Sequence, residues 1–162
     1  MEPYLKDILA ELEQDGRFDL EKCYFQHGTT SIYTHSVQVA CLSLELARKW
    51  NLQVDERALV RGALLHDYFL YDWHDSGNGH HLHGLTHPAT ALKNAKKDYV
   101  LNEVEENIIR RHMFPLTPVP PMYTEAWLVC MADKYCALRE TVQPFWQAAA
   151  GTFHKICSGY LG

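Results

Sequence analysis

Six residues spread widely along this chain, His35, His66, Asp67, His87, His112 and Asp133, are of types that bind transition-metal ions. His66 and Asp67 stand side by side after the apolar run Ala58-Leu59-Val60-Arg61-Gly62-Ala63-Leu64-Leu65. An unpaired charge taken into a core is very costly, and a bound cation removes that cost. Divalent ions of the Mn, Fe, Co and Zn group accept both imidazole and carboxylate ligands. Six such donors exceed what one tetrahedral ion needs, and they suit two ions sharing Asp67 as a bridge. One ion would take His35, His66, Asp67 and Asp133, and the other Asp67, His87 and His112. A water held at such a centre loses a proton near neutral pH; for one zinc the shift is from about 15.7 to about 7. Two ions roughly 3.5–4 Å apart also clamp a phosphoryl group. Taken singly, each residue has a plainer explanation. A His on an apolar stripe is more often a core residue than a ligand, Asp133 could pair with Arg or Lys, and His112 could serve a helix C-terminus. The ordered set has no comparably simple account.

The elements that must position these donors read as helices joined by polar loops. Pro3 to about Glu13 is amphipathic, with Leu5, Ile8, Leu9 and Leu12 on one face. Thr29, Thr30 and Ser31 offer cap oxygens for a helix whose stripe is Ile32, His35, Val39, Leu42 and Leu46. Asp55 caps a third helix that runs into His66-Asp67. Thr86-His87-Pro88 opens a fourth, with Pro in its first turn. Asn102 and Glu105 form a capping box for a fifth, which carries Val104, Ile108 and His112 at intervals of four. The four prolines between Phe114 and Pro121 end it. A sixth helix starts near Thr124, with Ala126, Val129, Cys130, Asp133 and Ala137 on one stripe. Gln143–Leu161 offers a further short helix. No period-2 strand run bounded by hairpin turns is present. The fold class expected is therefore all-α, a helical bundle.

A length of 162 residues fits one domain over 1–162, and 47% hydrophobic residues is ordinary for a chain with a real core. The net charge of −5 argues against a basic nucleic-acid-binding face, so no duplex nucleic acid is expected as partner. No apolar run reaches membrane-spanning length, and the first residues lack the pattern of a signal peptide. Five cysteines without a CxxC support neither a disulfide framework nor a zinc finger. Cys41 and Cys130 read as small core residues, and the protein as cytoplasmic with reduced thiols. His74, His80, His81 and His83 sit among Gly and Asp, where solvation is easy. One of them could replace His87 as a ligand, but the helix start favours His87. Lys134 and Arg111, with Arg110 as the alternative to Arg111, adjoin the donor set and are the candidate phosphate-binding cations. Tyr68, Phe69, Tyr71 and Trp73 crowd the segment after Asp67, as base-stacking or core residues.

The order His35, His66-Asp67, His87, His112, Asp133 resembles that of the HD-domain metal-dependent phosphohydrolase superfamily, over roughly residues 31–140. His87-Pro88-Ala89-Thr90-Ala91, Ile108-Ile109-Arg110-Arg111-His112 and Met131-Ala132-Asp133-Lys134 look like its two-metal branch. Hydrolases of symmetrical dinucleoside tetraphosphates and cyclic-dinucleotide phosphodiesterases share this order. Many relatives carry a Gly and then a Lys soon after the HD pair, whereas Tyr68-Phe69-Leu70-Tyr71 stands here. The resemblance implies an HD-domain, phosphodiesterase-like helical fold. It also implies one or two divalent ions, iron and manganese among the candidates. The implied reaction is hydrolysis of a phosphoester or phosphoanhydride of a nucleotide or small phosphorylated metabolite. Asp67, Lys134 and Arg111 are the expected catalytic residues, and the sequence leaves room for a homodimer. Two other function classes fit the same residues: a metal- or nucleotide-binding regulatory module without turnover, and a di-iron oxygenase.

Overall fold

The computed structural model describes residues 3–27, 30–72 and 83–159, with side chains over 3–25, 30–72 and 84–142. Helix α1 (Pro3–Asp15) leads through a 3₁₀ turn (Phe18–Cys23) into a small antiparallel ribbon of β1 (Phe25–His27) and β2 (Thr30–Ser31). Helices α2 (Ile32–Lys49), α3 (Glu56–Leu65), α4 (His83–Asp98), α5 (Glu103–Arg111) and α6 (Thr124–Gly159) complete the fold. The all-α class holds. Among the described residues the ribbon is the one addition, and strands of three and two residues are too short to show an alternating pattern.

Helix α3 is the axis of the molecule, packed against α2, α5 and α6. Asp55 caps it by accepting from the Ala58 N–H at 3.0 Å, and every residue from Ala58 to Leu65 is buried. Arg61 is the charged exception. Its guanidinium donates to Glu105 at 2.7 Å, to Glu11 and to the Val100 carbonyl. Gly62 explains how closely α5 approaches: a Cβ there would lie 2.5 Å from Ile108 Cδ1. That approach brings the C-terminal ends of α3 and α5 together, and both ends carry candidate ligands.

Helix α2 is capped by Ser31, whose Oγ accepts from the Thr34 N–H at 3.2 Å. Its buried face includes the small residues Ser36, Ala40, Ser43 and Ala47. Cys41 lies off that face and is exposed, which corrects its reading as a core residue; Cys130 is buried as expected. The α1 face of Leu5, Ile8, Leu9 and Leu12 is buried throughout. The Asn102–Glu105 capping box forms, with both reciprocal bonds present.

Two helix boundaries differ from expectation. Helix α4 starts at His83, so Pro88 stands inside it and His87 is in its second turn. Pro88 has no N–H to give the Gly84 carbonyl, so the second turn of α4 lacks one backbone hydrogen bond. Helix α6 does not stop before Gln143 but runs unbroken to Gly159. Thr141, the capping-type residue between Glu140 and Gln143, starts no new helix there: its hydroxyl donates to the Ala137 carbonyl one turn back at 2.8 Å. Among the described residues no helix is long and apolar enough to cross a membrane.

Candidate metal centre

Five helices bring the six donors to one place. His35 is in the first turn of α2, His66 is the C-cap of α3 with Asp67 next in the turn, and His87 is on α4. His112 is the C-cap of α5, and Asp133 is on α6. None is more than 7% exposed. Three overlapping triads each bring one ligand atom per residue within 4.8 Å of the others: His35-His66-Asp67, His66-His112-Asp133 and Asp67-His87-His112. Asp67 belongs to the first and the last, the position expected of a bridge.

The shorter contacts define the geometry. Asp67 Oδ1 lies 3.1 Å from His87 Nε2 and 3.5 Å from His112 Nε2, while Oδ2 is 3.4 Å from His66 Nε2. Asp133 Oδ1 is 3.1 Å from His35 Nε2 and 3.7 Å from His66 Nε2. His87 Nε2 and His112 Nε2 are 2.8 Å apart.

Two imidazoles have their tautomers set by backbone. His66 Nδ1 donates to the Ala63 carbonyl at 2.7 Å, and His112 Nδ1 donates to the Ile109 carbonyl at 2.9 Å. Each carbonyl lies three residues back at a helix end, where carbonyls lack their helical partners. With Nδ1 protonated, the Nε2 lone pairs of both rings point at the shared centre. His66 Nε2 is fully buried there without a hydrogen-bond partner. A buried imidazole nitrogen with no hydrogen-bond partner, next to carboxylate oxygens, is an environment a cation satisfies, so the residues fit a divalent metal.

The titration of the site points the same way. Burial opposes charge on His66, yet the carboxylates of Asp67 and Asp133 more than offset it and hold the ring well above its ordinary value. Burial likewise works against Asp67 and Asp133, but the facing histidines hold both carboxyls well below the usual range. His112, buried and facing the charge of His66, is lowered to about 3.

The other sequence candidates divide. Lys134 reaches the site, but its Nζ donates to the His112 carbonyl at 2.7 Å and the Cys130 carbonyl at 3.2 Å. Arg111 is half-buried, and its Nε is buried without a hydrogen-bond partner; Arg110 is exposed. Tyr68 and Phe69 are core residues, and the Phe69 ring meets the His87 ring edge-on at 5.7 Å. Trp73, His74, His80 and His81 lie outside the described residues, as does the side chain of His83.

Three contributors escaped the sequence reading. Glu140 holds His35 Nδ1, with both carboxylate oxygens at 3.1 Å. It continues the α6 stripe one step past Ala137, so extending that pattern would have found it. Asn94 donates to the Tyr68 and Phe69 carbonyls at 3.1 and 2.9 Å, fastening the turn after Asp67 to α4. Glu21, in the 3₁₀ turn, is fully buried with neither oxygen hydrogen-bonded. Burial raises its carboxyl well above the ordinary value; the charge of His66 opposes this and that of Asp67 adds to it. No periodicity marks that segment.

No curated protein and no solved structure matches this sequence significantly. Residues 32–138 match the sequence profile of the HD domain, a family typical of metal-dependent phosphohydrolases. That span begins at the first residue of α2 and takes in all six donors, leaving Glu21 and Glu140 outside it. Because the match covers more than half of the chain and carries the donor order with it, this protein belongs to the HD domain family.

Proposed function

We propose that this protein is a metal-dependent hydrolase of a phosphoester or phosphoanhydride, acting on a nucleotide or another small phosphorylated metabolite. The observation that carries the reading is the convergence of three buried His/Asp triads in which Asp67, His66 and His112 each belong to two. His35, His66, Asp67 and Asp133 would hold one divalent ion, and Asp67, His87 and His112 a second. A divalent ion so bound supplies Lewis acidity, which polarises a phosphoryl group and lowers the pKa of water.

The remaining work falls to the chain. Asp67 supplies negative charge between the two halves of the donor set. The Ala63 and Ile109 carbonyls keep the His66 and His112 rings oriented. Lys134 secures the His112 turn through its carbonyl. Arg111 is the cation for the substrate's phosphate, because its buried Nε has a hydrogen bond still to make.

The test is phosphate release from a panel of nucleotides and phosphomonoesters by protein loaded with Mn²⁺ or Fe²⁺. Turnover is expected with at least one class, and Asp67→Ala is expected to abolish both metal uptake and turnover. Full activity in Asp67→Ala would reject the assignment. Metal uptake without phosphate release from any substrate would instead favour a binding module.

A further inference from the structure

We infer that Glu140 is a positioning residue for His35: its carboxylate accepts the Nδ1–H and thereby keeps the Nε2 lone pair on the metal centre. The inference rests on the metal-centre reading above. Helix position explains the need. His66 and His112 cap the C-terminal ends of their helices, where free carbonyls can accept from Nδ1. His35 sits in the first turn of α2, where the carbonyls already receive helical N–H bonds. Its ring needs an acceptor from elsewhere, and α6 provides one.

Asp133 and Glu140 are two helical turns apart on α6, a rise of about 10 Å. Between them the His35 ring is held at both nitrogens: Nε2 lies 3.1 Å from Asp133, and Nδ1 lies 3.1 Å from Glu140. The Glu140 side chain is 4% exposed, and among the described residues its hydrogen bonds go to His35 alone. A buried carboxylate with a single partner is expensive unless that partner is well matched. A charged acceptor behind an imidazole fixes its tautomer and makes the other nitrogen a stronger donor to a cation. His66 and His112 have neutral carbonyls in that place, so His35 becomes a stronger donor than either of those two rings when the centre is loaded.

The experiment titrates metal-free protein with Zn²⁺ by calorimetry and follows the His35 Nδ1–H resonance of the Zn²⁺-loaded form by ¹H–¹⁵N NMR. Glu140→Ala is expected to lose about 10–100-fold in Zn²⁺ affinity and to lose the protected Nδ1–H signal. Glu140→Gln, whose amide oxygen still accepts, is expected to keep the signal at a shifted position with a several-fold affinity loss. Wild-type affinity and resonance in Glu140→Ala, with affinity lost in His35→Ala, would overturn the role of Glu140 and leave the metal centre standing. Wild-type affinity in His35→Ala would overturn the metal-centre reading beneath it. Should Glu140→Ala not fold, Glu140→Gln decides: an unmoved resonance and unchanged affinity refute the role.

Discussion

A proton on His35 must leave before a cation can take its Nε2. Burial pushes this ring's pKa down, but the hydrogen bonds to Asp133 and Glu140 outweigh it and carry the value up to about 9. Below that pH the metal-free ring holds a proton that binding displaces, so affinity rises with pH and falls as acid is added. Calorimetry at pH 7.5 in two buffers of different ionisation enthalpy should therefore show net proton release per ion bound. Identical heats in the two buffers would contradict it. Activity should fall below about pH 6, where unperturbed imidazoles also protonate. The residue types were legible from sequence because His and Asp on apolar stripes lack an easy structural account. Glu140 was legible in principle as the next step of the α6 stripe. Glu21 was not, because burial of a carboxyl from a non-periodic turn depends wholly on tertiary packing.

Element by element, the site depends on where helices end. His66 and His112 are both C-caps, and the approach of α3 to α5 across Gly62 brings them together. Gly62→Ala should drive its new methyl into Ile108 and separate the two ends. We expect a loss of about 1–3 kcal/mol in unfolding free energy, read by urea denaturation, with weaker metal uptake. Unchanged stability would show that α5 can shift at no penalty. Caps at Ser31, Asp55 and Asn102 were readable because each needs only a local oxygen three residues before a free N–H. The ends of α4 and α6 were not. Pro88 suggested a helix start but stands inside one, and nothing local marks the continuation past Val142.

Across the whole molecule, Glu21 sets a pH dependence of its own. Its folded pKa is raised above the unfolded value, so the stability it contributes is full below the unfolded value of about 4.3 and is lost as pH rises through the folded value. Metal-free Glu21→Gln should thus gain stability over wild type progressively above about pH 4.3, measured by thermal melts across pH. Parallel curves for the two proteins would show that the carboxyl is solvated or paired. The all-α architecture could be read from helical periodicity alone. The β1–β2 ribbon could not, since pairs this short leave no repeating signature.

The donors are divided along the chain: His35, His66 and Asp67 come before Asp72, and His87, His112 and Asp133 come after His83. Neither stretch alone can grip a cation with the full set. Ion content per polypeptide therefore serves as an assay of conformational quality, reporting in any purified batch the fraction of molecules whose two stretches have come together correctly.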